Sequence, residues 1–195
     1  MSDQDVDLKR RCTLTLAASA AGGAATAAVA WPFLASLEPS DRARALGAPV
    51  EADISNLNPG ELMTVEWQGK PVWVLRRTDE MIERLGQHHE VLSDPESHRS
   101  LQPEYCRNPR RSIKPDVFVT VALCTHLGCI PSYRPAGDAA AQLVHAGFYC
   151  PCHGSKFDVA GRVYKNVPAP TNLEIPRHAY LSETRILTGT DRKGA

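Results

Sequence analysis

Neither sign of charge is in excess in this sequence: 22 Lys and Arg stand against 22 Asp and Glu. A nucleic-acid surface needs a basic surplus, so no nucleic-acid partner is expected. Also absent are an internal repeat, a glycine-rich phosphate loop and a nucleophile elbow. Those absences set aside solenoids, P-loop nucleotide chemistry and the α/β-hydrolase reaction. Charge is missing altogether from Cys12 to Leu37, a run of 26 residues that is mostly Ala with Leu, Val, Trp31 and Phe33. The length of 195 residues suits one globular domain with appendages.

Drawn as a helix, the uncharged run reaches about 39 Å, against about 30 Å of bilayer hydrocarbon. A single transmembrane anchor over residues 12–37 is therefore expected. Its alanines and Gly22-Gly23 make it only weakly hydrophobic, and a buried Ala-rich helix of a soluble domain is the alternative. Before it come Asp3, Asp5 and Asp7 and then Lys9-Arg10-Arg11. Those basic residues place segment 1–11 on the cytoplasmic side. The paired arginines resemble a Tat export signal, although Cys12 and Thr13 replace the more hydrophobic residues that often follow. Ala28-Val29-Ala30 fits a small-residue cleavage pattern, and retention as an anchor is the reading adopted. Residues 38–50, charged, Ala-rich and bounded by Pro39 and Pro49, read as a flexible linker.

Past residue 51 the pattern is one of short strands. Leu62 to Trp67 and Val72 to Leu75 flank Gln68-Gly69-Lys70 as a hairpin. Met81 to Gln87 reads as one or two helical turns, and His88 to Arg111 as an ordered polar loop. His88, His89 and His98 in that loop are taken as surface residues, because nothing near them in sequence completes a metal site. Val117 to Leu123 is a strand, Ala139 to Tyr149 contains another, and Phe157 to Val159 with Arg162 to Tyr164 is a second hairpin candidate. Leu173 to Ile175, Ala179 to Ser182 and Arg185 to Thr188 complete an all-β sandwich or small barrel.

The strand at Val117 leads into Cys124-Thr-His126-Leu-Gly-Cys129, and the one before Cys150 into Cys150-Pro-Cys152-His153-Gly-Ser155. Each loop supplies a Cys and a His at short spacing, and two thiolates with two imidazoles make a four-ligand metal site. On residue chemistry alone the site suits zinc or an iron–sulfur cluster. A redox dithiol at Cys150-Pro-Cys152 is a third reading, but C-x-C lacks the helical C-x-x-C context. The remaining cysteines are isolated: Cys12, and Cys106, which is expected to be buried.

CTHLGC and CPCHGS resemble the two cluster loops of the Rieske iron–sulfur proteins of cytochrome bc complexes. Gln102-Pro-Glu-Tyr105, Arg111-Ser-Ile-Lys114-Pro115 and Lys165-Asn-Val-Pro168-Ala-Pro170-Thr-Asn-Leu extend the likeness. The resemblance implies one 2Fe–2S cluster, with Cys124 and Cys150 on one iron and His126 and His153 on the other. It implies a Cys129–Cys152 disulfide, and with it an oxidising compartment. It implies three stacked antiparallel sheets with a small cluster subdomain, all in the periplasmic segment 51–195. Two imidazoles in place of two thiolates lift such centres to about −150 to +300 mV, against about −400 mV for plant-type ferredoxins.

By the same resemblance Ser155 donates to a cluster sulfur, which raises the potential. Phe157 stands where many respiratory members carry a tyrosine. Leu127, Gly128, Pro168 and Pro170 form a docking face. The implied function is electron transfer from ubiquinol to a c-type cytochrome, with His153 or His126 taking the quinol proton. Cytochrome b, the c-type cytochrome and the lipid membrane are the implied partners, in a dimeric complex of the bacterial inner membrane. Segment 38–50 would act as a hinge. A Rieske subunit of an exported molybdenum enzyme, and an anchored zinc module, are the rival functions.

Overall fold

The computed structural model describes residues 7–87 and 89–191. Asp3, Asp5 and His88 of the sequence reading, and the last four residues, lie outside that range. The chain divides into two units, the boundary falling between Ala45 and Leu46.

Helix α1 spans Leu8–Ala35. It starts ahead of the uncharged run because Asp7 caps it, its carboxylate accepting from Lys9 N and Arg10 N at 3.1 Å each. The basic triplet therefore forms the first turn, where the sequence reading began the helix only at residue 12. Pro32 lies inside its last turn, and the helix runs unbroken through Ala28-Val29-Ala30. The segment read as a flexible linker is not wholly irregular: α2 occupies Asp41–Leu46.

The second unit holds three antiparallel sheets of three strands each. Strands β1 (Val50–Asp53), β9 (Arg185–Thr188) and β8 (His178–Tyr180) make the first, in that order. β2 (Leu62–Trp67), β3 (Lys70–Arg76) and β4 (Val117–Val121) make the second, and β5 (Ser132–Arg134), β6 (Gly147–Tyr149) and β7 (Lys156–Asp158) the third. Trp67 pairs with Lys70, so the first hairpin turns on two residues, not three. Gln68 and Gly69 both take positive φ, 54° and 69°, the left-handed pair that matches strand twist in a two-residue turn.

Strands β3 and β4 are buried on both faces while β2 is the more open edge, and the alternation of β3 and β4 sorts two cores. Trp73, Leu75 and Phe118 face one way, into a cluster with Phe148, Phe157, Leu173, Cys124 and Cys150. Val72, Val74, Val117, Val119 and Val121 face the other, against Ala52, Ile54 and Ile186. Stacking of Trp73 on Phe148, centroids 5.1 Å apart, ties the middle sheet to the third. Short α3 (Asp79–Arg84) is capped by Thr78, whose hydroxyl accepts from Met81 N at 3.2 Å.

Three strand expectations shrink. Arg162 to Tyr164 forms only isolated bridges, Val163 to Phe157 and Tyr164 to Leu92. Within 139–149 only Gly147–Tyr149 pairs as a strand, the residues before it being folded back by the Asp138–Leu143 bridge. Leu173 to Ile175 forms no ladder; its backbone bonds go singly to Gly161, Leu101 and Val121.

Three arginines are buried in this unit, Arg77 at 2%, Arg111 at 0% and Arg162 at 2% exposure. Each gives at least one donor to a backbone carbonyl of a loop, besides side-chain bonds to Ser112, Gln102 and Asp158. Arg77 reaches Val159, Pro115 and Arg110, Arg111 reaches Ala160 and Leu173, and Arg162 reaches Leu85. Through Arg110 and Arg111 these contacts pin the end of the polar loop, which includes buried Cys106. Burial pushes the Arg77 pKa down to about 9 and that of Arg111 to about 10, and the Asp158 carboxylate pushes both back up.

Candidate metal centre

Strand β4 and its extension Ala122-Leu123 deliver Cys124, and β6 delivers Cys150, so both cysteines enter the same core. The loops that follow are built alike. In the first, Cys124 N donates to Cys129 O at 2.8 Å and Gly128 N to Cys124 O at 2.9 Å. In the second, Cys150 N donates to Ser155 O at 2.8 Å and Gly154 N to Cys150 O at 2.9 Å. Gly128 and Gly154 hold φ of 78° and 76°, a backbone state that other residues enter at a cost. Sequence spacing alone does not reveal this equivalence, because the histidines sit at different steps: His126 is two residues after its cysteine, His153 three.

The four expected ligand residues converge in pairs. The Cys124 and Cys150 thiols are hydrogen-bonding neighbours, and the Cys124 pKa is raised, chiefly by burial and then by Cys150. Donation from His126 N–H and the Ser155 hydroxyl pulls it the other way. His126 and His153 stand edge to face with ring centroids 4.8 Å apart. The Nδ1 atom of His126 is buried and has no hydrogen-bond partner among the described residues. A buried imidazole nitrogen without a partner costs free energy unless something binds it. Two adjacent thiols, an orphaned ring nitrogen and a second imidazole fit a metal group with two sulfur and two nitrogen protein ligands.

Cys129 and Cys152 form a disulfide across 23 residues of sequence. Their sulfurs lie within 4.8 Å of one another and of the Cys150 sulfur. Bonded to each other, Cys129 and Cys152 offer no thiolate, so this trio is a bridge packed on Cys150 and not a second metal site.

Ser155 is fully buried, and its oxygen accepts from Ala169 N at 3.1 Å. That contact leaves its hydrogen for the sulfur side. Ala169 is the buried centre of the Pro168-Ala-Pro170 segment, whose prolines are both exposed. Thr125, which the sequence reading passed over, ties the same segment to the first loop through Oγ1 to Thr171 O at 2.6 Å. No local pattern pairs residue 125 with residue 171. Leu127 is 71% exposed and Ile130, also passed over, 54%. Both are apolar side chains left in solvent beside the histidine loops. His89 and His98 stand apart from the site: His89 lies 3.8 Å from Glu96, and His98 is exposed.

A sequence profile described as "Rieske [2Fe-2S] domain" matches residues 48–177. A second, "Ubiquitinol-cytochrome C reductase Fe-S subunit TAT signal", matches residues 1–40. The chain is 54% identical over 197 residues to the ubiquinol-cytochrome c reductase iron-sulfur subunit of Allochromatium vinosum, covering 100% of this chain and 95% of that protein. Identity to the subunit of the same name from Blastochloris viridis is 38% over 191 residues, with 96% and 97% covered. Among solved structures, a chain of "Hyperthermophilic respiratory Complex III" is 28% identical and covers 88% of this chain and 98% of its own, at a TM-score of 0.46.

Proposed function

The chain belongs to the family of Rieske iron–sulfur subunits of ubiquinol–cytochrome c reductase, and we propose that Cys124 and Cys150 bind one iron of its 2Fe–2S cluster and His126 and His153 the other. The orphaned Nδ1 of His126 is the observation that carries this assignment, in a site where Cys124 and Cys150 share one core. The bound cluster supplies one-electron chemistry between a quinol and a c-type cytochrome. The protein's own residues place that chemistry at an accessible tip. His153 is exposed, so its outer ring nitrogen can accept a hydrogen bond from ubiquinol and then hold the quinol proton. Leu127, Gly128, Pro168 and Pro170 form the face that docks on cytochrome b and the c-type cytochrome. Ser155 supplies a fixed dipole that favours added negative charge.

Helix α1, 28 residues long, extends about 42 Å and can span about 30 Å of hydrocarbon with tilt. Lys9-Arg10-Arg11 at its start hold the N-terminus in the cytoplasm, which puts the cluster domain in the periplasm of a bacterial inner membrane. The disulfide suits that compartment. The helix is retained as the anchor in a dimeric complex, and the 38–50 segment works as the hinge. Neither the molybdenum-enzyme reading nor the zinc module has an observation in its favour.

Low-temperature EPR of ascorbate-reduced membranes tests the assignment, with Cys124→Ser, Cys150→Ser and His126→Ala alongside the unaltered chain. A rhombic signal of low average g, lost in each variant and shifted by a quinone-site inhibitor, is the expected result. An unaltered chain that carries zinc and no signal would overturn it.

A further inference from the structure

We propose that Asn172 is a positioning residue for the quinol reaction: through Asp94, Ser97 and Ser100 it holds segment 168–171 against both cluster loops. The proposal rests on the ligand assignment above for its effect on the cluster, though the hydrogen-bond unit itself does not depend on it.

The segment needs an anchor because it has little of its own. Pro168 and Pro170 lack an N–H. The side-chain hydrogen bonds that tie it to the cluster loops are Ala169 N–H to Ser155 Oγ at 3.1 Å and Thr125 Oγ1 to Thr171 O at 2.6 Å. Both hold only if the segment stays in register, and the next residue fixes that register. Asn172 is 1% exposed. Its Oδ1 accepts from Val163 N at 2.8 Å, and its Nδ2 donates to Asp94 O at 2.9 Å and to Ser97 Oγ at 2.7 Å. Its backbone N–H donates to Ser100 Oγ at 3.2 Å, and Ser100 in turn donates to Asp94 Oδ2 at 3.0 Å.

Asp94 completes the unit, its buried carboxylate also accepting from His98 N at 2.9 Å and Arg99 N at 3.0 Å. Ser97 holds a φ of 56° while only 2% exposed. A buried non-glycine residue in the left-handed region persists where its surroundings over-determine it, often at a functional site. Here the strained serine presents its hydroxyl to Asn172. The 94–100 turn of the polar loop is thereby coupled to the cluster: loosening Asn172 frees Ala169 from Ser155, and the Ser155 hydroxyl then loses its fixed aim at the Cys124 sulfur.

Asn172→Ala strips three polar groups of their partners and risks unfolding, so the deciding variant is Ser100→Ala, with Ser100→Thr as the conservative rescue. Assembled complex in membranes is compared by EPR-monitored redox titration, by steady-state kinetics with ubiquinol, and by hydrogen exchange of peptides covering 166–173. Ser100→Ala should lower the midpoint potential, raise KM for ubiquinol about 2- to 10-fold with a smaller change in kcat, and speed exchange at Ala169. Ser100→Thr should restore all three. Unchanged potential, KM and exchange in Ser100→Ala would overturn the proposal. Should the unaltered complex show no Rieske signal, the ligand assignment fails, and exchange at 166–173 still decides whether Asn172 clamps the segment.

Discussion

His126 and His153 meet edge to face, 4.8 Å between ring centroids, although they occupy different steps of two loops with the same hydrogen-bond skeleton. The skeleton places Cys124 opposite Cys150 and Gly128 opposite Gly154. In the first loop the residue two past the cysteine is His126, and in the second it is Cys152, half of the disulfide. The bridge partner Cys129 stands where the second loop has Ser155. One backbone design thus presents a histidine, a disulfide half or a serine by exchanging side chains at equivalent steps.

Phe157 is fully buried in the core that holds Cys124 and Cys150. Phe157→Tyr is expected to raise the midpoint potential, because a hydroxyl donated to a ligand sulfur stabilises the reduced, more negative state. EPR-monitored titration reads the shift. An unchanged or lower potential would mean that the hydroxyl does not reach the sulfur.

The Cys129–Cys152 staple closes a loop of 23 residues, worth about 3 kcal/mol of stability by the loop-entropy relation. The double variant Cys129→Ala, Cys152→Ala should lower Tm by roughly 6–12 °C for a chain of this size. Scanning calorimetry measures that loss. EPR on the same samples should show reduced cluster content, since the bridge packs on Cys150; full content with an unchanged Tm refutes both effects.

Asp158 is the carboxylate that serves Arg162, accepting Nε at 2.7 Å and also the backbone N–H groups of Ala160 and Arg162. Asp158→Ala leaves a buried guanidinium uncompensated and should cost about 3–5 kcal/mol. Asp158→Asn, which keeps acceptor capacity, should cost less. Denaturant titration ranks the two, and equal losses would place the effect in charge and not in hydrogen bonding.

His178 is 2% exposed, and burial lowers its pKa from the ordinary 6.5, partly opposed by the Nδ1 hydrogen bond to Pro176 O. As pH falls below about 6.5 the unfolded chain takes up the proton first, so the stability from a neutral His178 is complete above that value and lost below it. The loss levels off once the folded-state pKa is passed. His178→Gln should flatten the stability profile between pH 7.5 and 5 by that amount. Parallel slopes for variant and unaltered chain would remove His178 as the cause.

The sequence by itself determined the ligand types, their two loops and the apolar run, because these are properties of neighbours along the chain: C-x-H, C-x-x-H and 26 residues without charge. It also set the strand character of Val117–Val121, where β-branched and aromatic residues leave little alternative. Helix α1 began earlier than its apolar run because a cap, Asp7, outweighed the charges beside it. What only the tertiary structure decided are relations between distant residues. The likeness of the two loops lies in backbone bonds that C-x-H and C-x-x-H disguise. The three buried arginines look like surface residues in sequence, since burial of a guanidinium depends on carbonyls brought from four separate loops. The ties of Thr125 to Thr171 and of Asn172 to Asp94 join segments 46 and 78 residues apart, and no local periodicity encodes a contact across such spans.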